Sequence, residues 1–227
     1  MSPPSHARLI KAELDSLIGC LIERGVGDDS NFSILRQAGL TSWEVTFTGA
    51  EHVSIAMSDI DYADIYAELA GKRSYNVKLI DGGLLQVMYS FEEDRLLQHR
   101  LAYFPSPSLR PFQEDSEAYM KDDLYLDIVA RRIVPFPLRF DYDDREGVHV
   151  DVHHPRSHMT LGDVNGCRIP VTSAMTPRWF FEFVLRNFYQ TKEHDFVAWL
   201  PTHRLHLPPS ITVREQGLIH IAVPAMA

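Results

Sequence analysis

The stretch SYNVKLIDGGLLQVMYSFEEDRLLQHRLAYF, residues 74–104, decides the fold. Its apolar and polar residues alternate in three runs, which is typical of strands with one buried face. The sequence Asp81-Gly82-Gly83 separates the first two runs, and Asp-Gly readily takes the positive φ that tight hairpin turns need. A second turn, over residues 92–95, precedes the third run. The stretch therefore predicts an antiparallel meander.

Further strands are predicted from Pro135 onwards, where the alternation returns. They cover residues 137–143 and 148–154 around a turn, then 157–162 and 167–171, and finally a hairpin over 211–224. Apolar residues at helical spacing predict helices elsewhere. These helices cover residues 6–23, 31–39, 61–71, 114–132 and 175–189. The last has Thr176 as its N-cap and Pro177 in its first turn, where a missing N–H does no harm.

These elements indicate an α+β fold with an antiparallel sheet packed by a few helices. The interpretation is a single domain over residues 1–227. A helical N-terminal part covers residues 1–50, and the core that bears the motifs covers residues 60–190.

Composition restricts the class of protein. Of the 227 residues, 45 % are hydrophobic and 23 % are charged, as in ordinary globular proteins. No run of about 18 apolar residues occurs, and the N-terminus lacks the pattern of a secretory signal, so we expect a cytoplasmic protein without a membrane span. Cys20 and Cys167 stand far apart and are expected to be free thiols. The net charge of −9 argues against long-range attraction to nucleic acid.

The unusual feature is a patch rich in histidine in the second half of the chain, which holds eight of the eleven histidines. If 138–143 and 148–153 pair as strands, their polar side chains share one face with those of the strand that follows Pro155. The predicted patch consists of Arg139, Asp141, His149, Asp151, His153, His158 and Thr160. Antiparallel strands with one solvated face alternate in this way without any function. However, this face uses His, Asp and Arg, and no lysine occurs between Lys121 and Lys192.

Three interpretations of the patch remain open. In the first, His153 and His158 act as general acid and base on an RNA phosphodiester, and Asp141 or Asp151 orients one of them. Arg139 and Arg156, with Thr160, would then hold the phosphate. In the second, His153, His158 and Asp151 bind a divalent metal, although their spacing matches no metal-binding motif. In the third, the patch only binds a ligand or a partner.

Other chemistries lack their motifs. No nucleophile elbow, phosphate-binding loop or dinucleotide-binding glycine motif occurs, so serine hydrolase, ATP-driven and nicotinamide chemistry are not indicated. Arg178, Glu182 and Arg186 follow at helical spacing, which favours a ladder of ion pairs over a phosphate groove.

The motifs of residues 139–189 resemble those of a family of bacterial proteins classed as a domain of unknown function. The matching segments are Arg139-Phe140-Asp141-Tyr142-Asp143, His154-Pro155-Arg156-Ser157-His158 with Gly162, Cys167-Arg168-Ile169-Pro170, and Thr176-Pro177 through Arg186-Asn187-Phe188-Tyr189. The resemblance covers roughly residues 60–190 and implies no settled activity.

A narrower resemblance, over Arg139-Phe140-Asp141 and from His153 to His158, is to TumE-type toxins. Proteins of that group are thought to act on RNA and are encoded beside antitoxins. The chain has Thr160 where that pattern would place another histidine.

The leading hypothesis is therefore a bacterial toxin or phage-defence ribonuclease that needs neither metal nor cofactor. RNA or another nucleic acid is its expected ligand, and an antitoxin or defence-complex subunit is its expected partner. The alternative is a non-enzymatic subunit of a multi-protein assembly, in which the histidine patch is structural or binds a ligand.

Overall fold

The chain is organised by one antiparallel sheet, seen in a computed structural model that describes residues 2–51, 60–107, 136–162, 166–190, 195–202 and 205–224. Within these residues the sheet has nine strands. They are β1 (Gly27–Ser30), β2 (Ile34–Gln37), β3 (Ser42–Thr46), β4 (Val77–Leu79), β5 (Leu84–Glu92), β6 (Arg95–Phe104), β7 (Leu138–Asp143), β8 (Ser157–Leu161) and β9 (Ile169–Pro170).

The long strands β5 and β6 form the centre of the sheet. The sheet order is β1-β4-β5-β6-β7-β8-β9, and β3, which pairs with β2, joins β5 as well. Because β6 occupies one edge of β5 along its length, β4 and β3 share the other edge, one at each end.

Four helices accompany the sheet in the described part of the chain. They are α1 (Ser5–Glu23), α2 (Tyr62–Gly71), α3 (Pro177–Val184), which continues as a π-helical turn (Leu185–Tyr189), and α4 (Val213–Gln216). The side chain of Thr176 caps α3 by accepting a hydrogen bond from the Trp179 backbone N–H. Thr212 and Glu215 form a reciprocal capping box on α4.

The two faces of the sheet differ in chemistry because the strand register aligns like residues. Val87, Leu101, Phe140 and Met159 are paired in sequence across β5, β6, β7 and β8 and form a buried apolar row. This face packs with the apolar side chains of α1 and α3. On the opposite face, α2 covers one end of the sheet, over Leu84, Ala102 and Phe104. The cavity described below lies beside that end.

Most of the predicted elements are confirmed. The α+β class, the meander, the first helix, the helix over 61–71, the strand over 138–143 and the Thr176-capped helix are all present. The ion-pair ladder is also confirmed, because Glu182 contacts both Arg178 and Arg186. The predicted helix over 114–132 lies outside the described residues.

Three predicted elements are wrong. Residues 31–39 contain the strand β2, which pairs with β3, and do not form a helix. Residues 148–154 form turns with one isolated bridge, Val150 to His154, and do not extend β7 into a hairpin. The C-terminal segment 211–224 contains α4, and Ile221 bridges to Val171 instead of closing a hairpin. In the part of the chain that is described, no helix is both long and apolar enough to cross a membrane.

Candidate functional site

A polar row lies next to the apolar row, on the other face of the same strands. Met88 pairs with Arg100, Arg100 with Asp141, and Asp141 with His158. One row further along, Ala102 pairs with Arg139 and Arg139 with Thr160. Directly paired residues of neighbouring strands have their Cβ atoms about 5 Å apart, so these side chains converge.

Asp141 is at the centre of this group. Its Oδ1 accepts a hydrogen bond from Arg100 Nε at 3.3 Å, and its Oδ2 accepts one from Arg139 Nε at 2.5 Å. The Nε2 atom of His158 lies 4.0 Å from the same Oδ2. One half-buried carboxylate therefore faces two guanidinium groups and one imidazole.

The ring of His158 has a fixed orientation. Its Nδ1 is 2.9 Å from the carbonyl oxygen of Pro155, and because a carbonyl can only accept, Nδ1 carries the proton. In the neutral ring the Nε2 lone pair therefore points toward Asp141. Only 4 % of His158 is exposed, and this burial lowers its pKa below the ordinary value. The bond to Pro155 and the charge of Asp141 offset part of the effect.

His154 lies against His158, with ring centroids 5.2 Å apart in an edge-to-face arrangement. Partial burial lowers the pKa of His154, and the positive charge of Arg168 lowers it further. Both imidazoles therefore tend to be neutral at pH 7 and can each accept a proton.

These groups line a cavity of about 1020 Å³. Among the described residues, its charged lining consists of five arginines and three carboxylates: Arg36, Arg100, Arg139, Arg145, Arg168, Glu44, Asp141 and Asp143. Arg36 pairs with Glu44 and Arg145 with Asp143, whereas Arg100 and Arg139 contact Asp141. Arg168 forms no ion pair with a described residue. In a chain of net charge −9, the cavity is a local region of positive charge.

The sequence profile of one protein family matches residues 26–223. The chain belongs to the family described as uncharacterized conserved protein (DUF2290). The match confirms the resemblance to a family of unknown function and extends it beyond residues 60–190. No curated protein and no solved structure matches the chain.

The sequence analysis gave seven residues a catalytic or phosphate-binding role. In this member of the DUF2290 family, the structure brings four of the seven together. Arg139, Asp141, His158 and Thr160 all line the cavity. The other three lie elsewhere. His153 is exposed on a turn, Asp151 contacts Thr212 and Arg214, and Arg156 is exposed and pairs with Asp144.

The separation follows from the turns over residues 144–156. The sequence pattern assumes that His149, Asp151 and His153 extend a strand, so that they share the face of Asp141. Instead, Val152 has a φ of +72°, which reverses the chain and directs this segment toward α4. The Val152 backbone N–H donates to Oε1 of Glu215, which stabilises this conformation.

The sequence interpretation left several cavity residues out of the site, among them Arg100, His154 and Arg168. Alternation along β6 places Arg100 on the polar face, but only the β6–β7 register shows that it meets Asp141. His154 and Arg168 belong to the two quoted motifs that flank β8, so a signal for them was present in the sequence.

Proposed function

We propose that the cavity binds RNA and cleaves its phosphodiester bonds without a metal ion. The observation that carries the proposal is that Arg100, Arg139 and Arg168 line one cavity together with two imidazoles and the Asp141 carboxylate. Guanidinium groups bind phosphate oxygens through paired N–H donors, and neutral imidazoles transfer protons near neutral pH. The cavity volume also lies at the upper end of the range for small-ligand sites, large enough for more than one nucleotide.

The proposed reaction is an internal transfer. The 2′-oxygen of a ribose forms a bond to phosphorus while the bond from phosphorus to the 5′-oxygen breaks. Nε2 of His158 takes the proton of the 2′-hydroxyl, and the resulting imidazolium is stabilised by Asp141. Protonated His154 gives a proton to the departing 5′-oxygen, so the products are a cyclic phosphate end and a 5′-hydroxyl end.

The arginines have a separate role in this proposal. Arg168, which has no ion pair with a described residue, stabilises the charge that develops on the phosphate oxygens. Arg100 and Arg139 already contact Asp141, so they orient that carboxylate and contribute positive charge. His154 thereby replaces the exposed His153 as the second histidine of the proposed acid–base pair.

The test is cleavage of a labelled single-stranded RNA by the purified protein in excess EDTA. Two variants remove the proposed groups: His154→Ala, and His158→Asn, whose amide can still donate to Pro155. We expect each to slow cleavage by about 10²–10⁴-fold, the usual effect of losing a general acid or base. His153→Ala, on the neighbouring exposed turn, is the matched control and should leave the rate unchanged.

The pH profile provides a second readout. Both imidazole pKa values are lowered from the ordinary value of about 6.5, so kcat/KM should peak below that pH and fall as the acid loses its proton. Cleavage that requires an added divalent ion, or equal rates for His153→Ala and His154→Ala, would contradict the proposal.

A second candidate is binding of the same ligand without cleavage, as expected of a non-enzymatic subunit. The direct contact between the His154 and His158 rings favours it, because two rings 5.2 Å apart leave no space for a phosphate between them. An RNA that binds with an affinity sensitive to Arg168→Ala, yet stays intact at every pH, would establish this candidate.

The biological setting we propose is bacterial toxicity or phage defence, with a partner protein that restrains the activity. Its support is the resemblance of Arg139-Phe140-Asp141 and of residues 153–158 to TumE-type toxins. Induced expression in a bacterium should arrest growth, and His154→Ala should relieve the arrest at equal protein level.

A further inference from the structure

A second group of polar side chains lies outside the cavity, where the turns after β7 meet α4. His149, Asp151 and Glu215 each offer one ligand atom, and these atoms all lie within 4.8 Å of one another. None of the three residues lines the cavity. They come from two segments far apart in the chain.

The imidazole of His149 is the first indication that these residues bind a ligand. Its Nε2 is buried and has no hydrogen-bond partner in the part of the chain that is described. The nearest carboxylate oxygen, Oε1 of Glu215, is 3.5 Å away, which is too long for a good hydrogen bond. A buried polar nitrogen without a partner costs free energy unless a bound group satisfies it.

The carboxylate of Glu215 is the second indication. Glu215 is fully buried, with 0 % of its surface exposed. Its two oxygens accept hydrogen bonds from the backbone N–H groups of Val152 and Thr212, which are neutral donors. A charge taken out of water needs a charged partner, and neither of these two backbone donors supplies one.

We propose that His149, Asp151 and Glu215 bind one divalent transition-metal ion, with Zn²⁺ as the best fit. Imidazole and carboxylate are both zinc ligands, and three protein ligands leave a fourth position for water. Two ligand atoms on a tetrahedral zinc lie about 3.4 Å apart, close to the 3.5 Å between His149 Nε2 and Glu215 Oε1. Asp151 already binds Thr212 and Arg214, but the Arg214 side chain is 74 % exposed and can move aside.

The ion has a structural role in this proposal. It links the turns over residues 148–154 to the C-terminal helix α4. These turns end at His154, which lines the cavity. Proton transfer in the cavity does not involve it, so this proposal stands or falls independently of the proposed cleavage.

Bound metal is first removed from the full-length protein, and Zn²⁺ is then titrated in. Calorimetry measures the binding, and the melting temperature is compared with and without the ion. We expect one ion per chain and a higher melting temperature with the ion than without it. Glu215→Gln keeps an acceptor for the α4 cap but removes the charge, and His149→Ala removes the imidazole. Each should weaken Zn²⁺ binding by about 100-fold or more and abolish the rise in melting temperature.

The matched control is His153→Ala, because His153 is an exposed histidine in the same turns. It should bind Zn²⁺ as the unchanged protein does. If Glu215→Gln does not fold, His149→Ala decides the test. No binding by the unchanged protein, or unchanged binding by His149→Ala, would overturn the assignment.

Discussion

His99 lies on β6 immediately before Arg100, is almost fully buried, and also contributes to the cavity lining. Its ring contacts Tyr89 and Tyr142, and its Nε2 accepts a hydrogen bond of 3.0 Å from the Met175 backbone N–H. The proton of the neutral ring is therefore on Nδ1, which has no hydrogen-bond partner among the described residues. Complete burial lowers the pKa of His99 to about 4, although the negative charge of Asp141 acts in the opposite direction.

This pKa predicts how stability depends on pH. The folded value of about 4 lies below the unfolded value of about 6.5, so the unfolded chain binds the extra proton between them. Neutral His99 makes its full contribution to the free energy of unfolding above pH 6.5, and this contribution is lost as the pH falls toward 4. The loss amounts to about 3 kcal/mol by pH 4.

His99→Gln separates this effect from those of other groups, because glutamine can accept the Met175 bond but does not titrate. Urea unfolding at several pH values between 7 and 4 should show a smaller loss of stability in the variant. An equal loss in both proteins would show that His99 does not cause the acid sensitivity.

The hairpin between β4 and β5 shows how one turn supports the core. Gly83 lies against a buried network in which Tyr103 donates to the Tyr189 hydroxyl and Tyr189 donates to Asp81. A Cβ atom on Gly83 would come within 2.6 Å of the Tyr189 hydroxyl and 2.9 Å of Tyr103. Burial raises the pKa of Asp81, and its hydrogen bonds from the Gly83 N–H and the Tyr189 hydroxyl offset part of this rise.

Gly83→Ala is therefore expected to lower the free energy of unfolding by about 1–3 kcal/mol, the usual cost of overpacking a core. Gly71→Ala is the control, because a Cβ atom there meets nothing within 4 Å. It should leave stability unchanged or raise it by up to about 1 kcal/mol, because alanine favours the helix more than glycine does. Chemical unfolding measures both. Equal stability of the two variants would mean that the turn can move away from Tyr189.

The elements that the sequence predicts correctly are those specified by nearby residues. The turns at Asp81-Gly82 and at 92–95 fix β4, β5 and β6, and Thr176-Pro177 fixes the start of α3. The prediction for segment 148–154 is wrong because its alternation is typical of a strand. In the structure, Glu215, which is distant in sequence, accepts a hydrogen bond from the Val152 N–H. The motif Thr212-Val213-Arg214-Glu215 is a readable capping box, so α4 itself could have been predicted.

The candidate site was only partly predictable for a related reason. Alternation alone places Arg139, Asp141, His158 and Thr160 on one face. Whether Arg100 joins them depends on the register between β6 and β7, which are separated by a long segment of chain. A shift of one residue would place His99, not Arg100, beside Asp141.

At the scale of the whole molecule, a positive cavity lies in a chain of net charge −9. Phosphates inside the cavity are attracted by Arg100, Arg139 and Arg168, whereas phosphates that extend beyond it approach a chain with an excess of negative charge. A protein that binds nucleic acid over a long surface gains affinity with each phosphate it contacts. Here that gain should end at the rim of the cavity.

We therefore predict that a long single-stranded RNA binds no more tightly per site than a tetranucleotide. The affinity should fall with rising salt, and Arg168→Ala should reduce the slope of log K against log salt concentration by about 0.7, the value for one phosphate contact with a single strand. Fluorescence anisotropy at several salt concentrations measures both quantities. Arg214→Ala, an exposed arginine outside the cavity, is the control and should keep the slope. An affinity that rises steadily with RNA length would instead indicate a binding surface that extends beyond the cavity.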